Sequence, residues 1–436
     1  MAQTKTITQA VERLGYRVTV GDVAAEAGLP LLEAQRAVLA LAAEAQANLQ
    51  VAESGEVAYV FPKNLQAVLW SQSWRLRWQS TWEKIWRVLF YLIRISFGVI
   101  LILSLVLIVV AITLLAIAAS SAGREDNDSG GGGHSGGGGM VFMPRLWIGP
   151  DIFWMFDPRS DRRRPARPQG DMNWLEAVFS FLFGDGNPNA DLDDRRWKTI
   201  AQVIQANGGA VVAEQITPFL GDLGKGWAND LEDFMVPVLS RFNGMPQVSP
   251  QGGLVYQFPE LQVTAKARRT ITPPRFLREL PRRFSQATSG QIMIAIGLGS
   301  ANLIGALVLG NMLQDQALVA QLGGIVALAN SLYWLLLGYG SAFLGIPLGR
   351  YFWVQRQNHR IETRNLEREQ RAAALNQLTP ERQEKLAFAQ TLTAQTVLGT
   401  DDLAYTTEVD LTEQEAAQKD KIDAEWQRLL DQREGK

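Results

Sequence analysis

The stretch from residue 63 to residue 122 constrains the fold more than any other part of the chain. Its first half carries five tryptophans, one at every fourth position, and its second half has no charged residue between Arg94 and Arg124. Residues four apart lie on one face of a helix, so the indoles form a stripe. The apolar run is longer than the roughly 20 residues that a helix needs to cross a bilayer. The pattern predicts a transmembrane helix whose membrane-interface residues are Trp70, Trp74, Trp78, Trp82, Trp86, Arg75, Arg77 and Arg87.

The composition narrows the chemistry that the chain can perform. Its 436 residues include no cysteine and two histidines, His134 and His359. Disulfide bonds, a thiol nucleophile and thiolate ligands for zinc or an iron–sulfur cluster are therefore excluded, and so is a histidine-rich metal centre. The N-terminal sequence lacks the apolar core of a secretory signal and the Arg/Ser richness of a transit peptide, so we expect a folded domain from residue 1. We expect no cofactor and no metal site.

Residues 1–62 show the order of elements of a winged-helix domain. A helix ending at Leu14 is followed by a short strand at 17–20, a second helix closed by Gly28, and an alanine-rich third helix of high helix propensity. Two alternating strands then form a hairpin about the turn at 54–55. The order helix–strand–helix–turn–helix–hairpin predicts a winged-helix-like domain.

Residues 173–263 repeat this order of elements. Their final hairpin, QGGLVYQFPELQ at 251–262, corresponds to SGEVAYVFPKNLQ at 54–66. Because internal repeats indicate duplicated structural units, a second winged-helix-like domain is predicted. Pro237 falls inside the expected third helix of this domain and should kink it.

Two polar segments connect these domains to their neighbours. Residues 123–172 combine a glycine-rich run with an arginine- and proline-rich stretch, which predicts a flexible linker. His134 has no second ligand beside it, so a linker position is favoured over a metal site. Residues 264–289 are strongly basic, with Glu279 as the single acidic residue, and are predicted to form a juxtamembrane segment.

Residues 290–349 predict a transmembrane hairpin with spans at 290–313 and 317–345, joined by a turn at Asp315. Both spans carry small residues at every fourth position, and such residues allow helices to pack closely in lipid. The predicted helix-packing residues are Gly297, Ala301, Gly305, Gly323, Ala327 and Ser331. A charged helical region at 350–436 completes the chain, with a helix expected to begin at Arg350.

The basic flanks of the three spans conflict with a simple topology. Basic residues lie before the first span, before the second and after the third, and the positive-inside rule places all three on the cytoplasmic side. A single crossing between residues 95 and 122 does not allow this. Two alternatives remain: the first helix lies partly in the plane of the membrane, or one soluble half lies on the far side.

Charge disfavours nucleic acid as a partner. Residues 1–61 contain four basic and seven acidic residues, and residues 185–260 contain five basic and ten acidic residues. Attraction to phosphate supplies most nucleic-acid affinity, and neither domain offers it. Winged helices that bind protein are the better interpretation.

No arrangement typical of an active site stands out. The sequence GDGNPN at 184–189 lacks the Lys-Ser/Thr of a P-loop, and the acidic residues near it lack the spacing of a calcium loop. We expect a solvated loop with a helix cap there. Asn302 and Asn330 lie within the spans, where interhelical hydrogen bonding explains them better than a substrate path. We predict that the protein is not an enzyme.

Two stretches carry a family resemblance: VFSFLFGDGNPN at 178–189 and IPLGRYFWVQRQNHRIETRNLER at 346–368. With the order of linker, domain and hairpin, residues 60–375 resemble a family of membrane proteins of unknown function shared by cyanobacteria and chloroplasts. Plant relatives carry a loose label of iron–sulfur cluster biosynthesis, whereas this chain has no cysteine for cluster ligation. The resemblance implies a thylakoid or plasma-membrane protein, with a cyanobacterium as the source, and brings no catalytic residues.

Together these features predict a mostly α, multi-pass integral membrane protein. It contains two winged-helix-like α+β domains, one N-terminal transmembrane helix and a C-terminal transmembrane helical hairpin. The leading hypothesis is a non-enzymatic adaptor or assembly factor that binds membrane lipid and a membrane or peripheral protein, with homo-oligomers as a further option. The alternatives are a membrane-tethered DNA-binding transcriptional regulator and a small transporter or channel subunit.

Overall fold

A computed structural model describes residues 2–72, 74–122, 172–221, 232–265, 272–375, 379–399 and 403–414, with scattered positions up to residue 430. The helices, numbered along the chain, are α1 (Ala2–Leu14), α2 (Val20–Ala27), α3 (Leu31–Ala45), α4 (Leu65–Gln72), α5 (Trp74–Ala122), α6 (Trp174–Phe183), α7 (Leu192–Ala206), α8 (Ala213–Ile216), α9 (Val236–Phe242), α10 (Pro259–Gln262), α11 (Ser289–Met312), α12 (Gln316–Leu322), α13 (Gly324–Ser331), α14 (Tyr333–Ala374) and α15 (Pro380–Thr391). The strands are β1 (Arg17–Val18), β2 (Asn48–Ala52), β3 (Val57–Val60), β4 (Ala210–Val211), β5 (Met245–Val248), β6 (Leu254–Gln257), β7 (Val263–Thr264), β8 (Thr396–Val397) and β9 (Leu403–Thr406). The fold is mostly helical, with small sheets.

The chain divides into two units, each built from segments that are distant in sequence. The first unit contains Met1–Lys84, Asn187–Arg282 and Arg356–Lys436. The second contains Ile85–Gly186 and Arg283–Gln355. The first repeat and residues 187–263 of the second repeat belong to the first unit. The long apolar runs belong to the second unit, and so does α6, which the sequence placed in the second repeat.

The first repeat of the first unit packs α1, α2 and α3 against a small antiparallel sheet. Strand β3 pairs with β1 on one side and with β2 on the other. Helix α2 begins at a capping box formed by Thr19 and Asp22 and ends at Gly28, whose φ of 68° is left-handed. Apolar side chains from all three helices, including Ile7 and Leu41, close the core.

The second repeat has the same order of helices and the same strand pairing, with β6 between β4 and β5. Its core includes Phe242 and Phe258, both fully buried. The expected kink at Pro237 is absent, and that prediction is wrong. Pro237 lies in the first turn of α9, which starts at Val236 after a short 3-10 helix. Proline is tolerated there because the first helical N–H groups have no partner within the helix.

The two repeats pack on each other through α2 and α7. Ala25 of α2 is part of the core of the second repeat, and Lys198 pairs with Glu26 at 2.5 Å. At Gly21, a Cβ atom would lie 2.0 Å from the carbonyl oxygen of Glu260. Glycine is therefore required at this position, because a side chain would force the repeats apart.

The chain after residue 379 lies along both repeats. Helix α15 packs on the sheet of the second repeat, where Ala389 joins Val212 and Val255 in a small core. Strand β8 pairs with β7 in parallel, and β9 pairs antiparallel with β2, with Val51 opposite Tyr405. The sequence predicted a charged helical region here and missed both strands.

In the second unit, α5 and α11 run parallel and α14 runs antiparallel to α11. Leu101 shares a cluster with Ala295, and about four to five turns further along Leu115 shares one with Leu313. Apolar segments long enough to cross a membrane occur at Val88–Ser121 and Ser289–Met312, and their most apolar stretches of 18 residues have mean hydropathies of 3.3 and 2.2. These two segments correspond to the first two spans expected from the sequence.

The third expected span, 317–345, is not one continuous helix. It is broken at Gly323, whose φ of 53° suits glycine, and again at Leu332, where α13 and α14 meet at an angle of 59°. Helix α14 then continues past Pro347 to Ala374, so the charged helix expected from Arg350 begins earlier. Counted as one bent span, α13 and α14 give the second unit a third apolar segment of sufficient length.

Candidate functional site

The third helix of the first repeat, α3, has an apolar face that the protein itself leaves open. Ala34, Val38 and Leu41 face the core and are buried. On the opposite side, Leu32 and Leu39 remain 59% and 47% exposed. Residues seven apart are two helical turns apart on one face, so these leucines form an outward-facing stripe.

The charges around this stripe are mainly acidic. Glu33 and Glu44 lie on α3 beside the single basic residue Arg36. Glu53 and Glu56 lie near the tip of the adjacent hairpin. An apolar stripe with an acidic border can bind an apolar surface that is bordered by basic residues, whereas it repels the phosphates of nucleic acid.

The equivalent helix of the second repeat, α9, contacts the first repeat. Arg241 turns toward the first repeat and donates from Nη2 and Nε to the carbonyl oxygen of Gly28, at 2.6 and 3.2 Å. Its guanidinium lies 4.4 Å from the ring centre of Trp197. Burial lowers the pKa of Arg241, against the opposing effect of nearby carboxylates such as Asp193. This helix therefore holds the two repeats together.

A buried polar junction lies at one end of the helices in the second unit. The side chain of Asp185 is 11% exposed and pairs with Arg94 at 3.0 Å. Asp185 also accepts hydrogen bonds from the Ser180 hydroxyl at 2.5 Å and from the backbone N–H of Gln286 at 2.8 Å. The expected solvated loop at GDGNPN is therefore wrong for Asp185, which links α5, α6 and the start of α11.

Arg350 of α14 reaches the same junction. It donates to the carbonyl oxygens of Ser180, at 3.3 Å, and of Phe284, and it lies 4.3 Å from the ring centre of Phe284. Sequence reasoning did not single out Arg350 as a contact residue. The available signal was a lone arginine at the polar end of an apolar helix.

This junction brings together the polar ends of three apolar segments. Arg94 precedes the uncharged run of α5, Gln286 precedes α11, and Arg350 follows the apolar part of α14. Because α5 and α11 run parallel, their N-terminal ends lie at one end of the second unit. The basic flanks Arg94 and Arg350 and the start of α11 therefore lie together at that end. The connecting residues 123–171, which include His134, lie outside the described part of the chain.

The predicted membrane-interface residues are placed only in part. Trp82 and Trp86 lie on α5 with exposed side chains. The side chains of the others lie outside the described residues; they are Trp70, Trp74, Trp78, Arg75, Arg77 and Arg87. Their role at the interface stays a prediction.

The predicted helix-packing residues occupy several environments. Within α11, Gly305 lies against Ile108 of α5, Ala301 is half-buried, and Gly297 is exposed. The buried stripe of the same helix comprises Ala295, Gly299, Asn302, Ala306 and Leu309. In the second group, Gly323 lies at the break between α12 and α13, while Ala327 and Ser331 are exposed.

Asn302 makes an interhelical hydrogen bond of the kind expected from the sequence. It is fully buried in α11, and its side-chain amide donates to the hydroxyl of Ser104 on α5. Its Oδ1 faces the backbone near Gly340 of α14. Asn302 therefore lies where three helices meet.

A second polar cluster in the first unit has groups that titrate, and their pKa values argue against a catalytic base. Lys385 lies 3.1 Å from Glu232 and 3.5 Å from Glu214, and the Tyr256 hydroxyl donates to Glu232 at 2.7 Å. Burial lowers the pKa of Lys385, but the two carboxylates outweigh it and the net shift is upward. Burial and Glu232 raise the pKa of Tyr256. Both groups stay protonated at neutral pH. They are therefore better suited to stabilising the fold through ion pairs and hydrogen bonds than to abstracting a proton.

The described residues thus define a helical protein with two long apolar helices, small sheets and an open helix face. Within them, no three histidine or acidic side chains converge to hold a metal ion.

Comparison with curated proteins shows similarity to an uncharacterized chloroplastic protein of Arabidopsis thaliana, with 36% identity over 425 residues. The match covers 94% of this chain and 80% of the plant protein. No family model matches the chain, and no solved structure matches it. The chain belongs to the family of this chloroplastic plant protein.

Proposed function

We propose that this protein is a membrane-anchored, non-enzymatic adaptor that holds a protein partner through its first unit. The two repeats act as winged-helix-like domains, and α5, α11 and the bent pair of α13 and α14 anchor the chain as a multi-pass protein. The length and apolar character of α5 and α11 support membrane insertion. The chloroplastic location of the plant relative supports a photosynthetic membrane, including the thylakoid.

The open stripe of Leu32 and Leu39 on α3 is the observation that carries this proposal. Both leucines are large and well exposed, whereas Ala34, Val38, Leu41 and Ala45 of the same helix are buried in the core. Exposed leucines two turns apart are the pattern by which a helix anchors to an apolar groove or to another helix. The acidic border selects a partner whose contact surface is apolar in the centre and basic at the edge.

The DNA-binding alternative has less support from the same domain. In a DNA-binding winged helix the hairpin and the third helix face the duplex, and both need positive charge. Here the outer edge of the hairpin strand β2 is paired with β9 of the same chain. The third helix offers Arg36 against Glu33 and Glu44.

The test uses a photo-crosslinking residue at position 39 of the full chain in native membranes. We expect one partner to crosslink in stoichiometric amount and the crosslinked peptide to be apolar with basic flanks. The double variant Leu32→Asp with Leu39→Asp should lose this partner on purification in mild detergent. An equally exposed leucine outside α3, Leu411, provides the matched control as Leu411→Asp.

Equal recovery of the partner with the α3 variant and the control variant would remove α3 as the contact surface. A crosslink to duplex DNA, with binding that falls steeply with salt, would replace the adaptor by the regulator.

A further inference from the structure

One face of α14 brings four arginines to a single cavity in the first unit. They lie four, four and three residues apart, a spacing that places them on one side of a helix. The cavity measures about 330 Å³. The residues that line it include Arg360, Arg364, Arg368, Arg371, Thr363 and Gly221.

The two deeper arginines are fixed by backbone carbonyl groups. Arg368 donates from Nε to Leu220 and from Nη1 to Leu277, both at 3.2 Å. Arg371 donates from Nη1 to Gly221 at 3.1 Å. Carbonyl oxygens satisfy N–H donors but carry no net charge, so they position these guanidinium groups without neutralising them.

The carboxylates at the cavity do not balance the arginines. Glu279 binds Arg364 through both oxygens, at 2.9 and 2.5 Å, and also pairs with Arg368 at 2.8 Å. Glu367 lines the cavity on the same helix, 3.9 Å from Arg371. Among the residues that the structure describes, four guanidinium groups therefore face two carboxylates, an excess of two positive charges.

Donors remain available at the open side of the cavity. Arg360 is exposed and makes no hydrogen bond or ion pair to any residue that the structure describes. Arg364 uses Nε and one N–H of Nη2 on Glu279, so three of its five N–H groups stay uncommitted toward the described residues. These donors come from two planar groups one helical turn apart, an arrangement that suits a multivalent anion.

We propose that this cavity binds a dianionic phosphate group, either inorganic phosphate or the phosphate monoester of a larger molecule. A phosphate monoester carries about −1.5 to −2 charges at neutral pH, which matches the excess charge of the cavity. A single carboxylate would leave a positive charge unmatched. The volume lies at the lower end of the range of about 300–1,000 Å³ typical of small-ligand sites. This proposal is independent of the partner surface on α3.

The test titrates the full-length protein in a non-ionic detergent with inorganic phosphate at constant ionic strength, by calorimetry. We expect saturable binding with one site per chain. Arg360→Ala should weaken it about tenfold or more, the effect of one charge-assisted hydrogen bond. Arg356→Ala should leave it unchanged, because Arg356 is exposed one turn earlier on the same helix and does not line the cavity.

Non-saturable heats, or equal weakening by both variants, would overturn the proposal, because either result means general charge screening. The source of the phosphate group is assigned by repeating the titration in phosphatidylcholine nanodiscs with and without phosphatidic acid. Competition by phosphatidic acid in the wild type but not in Arg360→Ala identifies a lipid headgroup. An unchanged phosphate titration identifies a soluble phosphate compound.

Discussion

At the scale of single residues, Glu279 shows how a buried charge is accommodated in the first unit. Its side chain is 5% exposed, and that of its partner Arg368 is 4% exposed. Burial alone would raise the pKa of Glu279, but the hydrogen bonds and charges of Arg364 and Arg368 outweigh it and hold the pKa below its usual value. The carboxylate is therefore ionised, and both arginines depend on it.

We expect Glu279→Gln to lower the free energy of unfolding by about 3–5 kcal/mol, because it leaves two buried or half-buried arginines without their counter-charge. The measurement is denaturant unfolding of the full chain in detergent, followed by tryptophan fluorescence. Glu369→Gln is the matched control, since Glu369 is exposed on the same helix as the two arginines. A difference of less than about 1 kcal/mol between the two variants, the usual worth of a surface pair, would contradict a buried ion triad.

The same residue should give the stability a defined pH dependence. Glutamate in an unfolded chain has a pKa of about 4.3, and the folded pKa of Glu279 lies lower. Its contribution is therefore complete above the unfolded pKa and is lost as the pH falls through the folded pKa. The stability difference between the wild type and Glu279→Gln should be largest near neutral pH and should shrink in acid. A difference that stays constant down to the acid limit would mean that ionisation of Glu279 is not its cause.

At the scale of elements, the strands after residue 395 hold the two repeats together. Leu398 is buried with Ala52 and Ala58 of the first repeat and with Ala265 after the second. Its backbone N–H donates to the carbonyl oxygen of Thr264 at 2.9 Å. Its carbonyl oxygen accepts from Nη1 of Arg17 at 2.7 Å. The segment is thus part of both repeats.

We predict that Leu398→Ala lowers the free energy of unfolding by about 2–5 kcal/mol, the range for truncating a buried leucine. The neighbouring residue provides the control: Val397 is exposed, and Val397→Ala should change stability by less than about 0.5 kcal/mol. Thermal unfolding of both variants in one detergent makes the comparison. Equal effects would show that this segment does not stabilise the repeats.

The sequence predicted the elements whose signal is local and missed those whose signal is distant. Hydrophobic periodicity, together with glycines at the ends of elements, was sufficient to predict α1 to α3, the hairpin of β2 and β3, and the two apolar helices. Strands β8 and β9 have two and four residues and gain their stability from partners far away in the chain. Asp185 has no local feature that distinguishes a buried anchor from a solvated turn. The break at Gly323 depends on a left-handed backbone that a glycine permits but does not demand.

At the scale of the whole molecule, the parallel arrangement of α5 and α11 determines which positions share an end of the second unit. Residues near Arg94, Gln286 and Arg350 meet at the Asp185 junction, whereas Leu115 and Leu313 meet near the other end. Between Arg94 and Ser121, α5 rises about 40 Å, more than the roughly 30 Å of a bilayer core. If both helices cross the membrane, the junction end of the second unit and its other end therefore lie on opposite sides of the membrane.

A labelling experiment in closed vesicles of known orientation tests this topology directly. The chain has no cysteine, so single cysteines can be introduced without removing any native thiol. Ser289→Cys lies at the junction end, while Ser121→Cys and Gln314→Cys lie at the other; all three positions are exposed. We expect a membrane-impermeant maleimide to label Ser289→Cys from the cytoplasmic side, because the basic flanks belong there, and to label the other two from the opposite side.

Labelling of Ser121→Cys and Ser289→Cys from one side would show that α5 lies along the membrane without crossing it. Labelling of Gln314→Cys and Ser289→Cys from one side would show the same for α11.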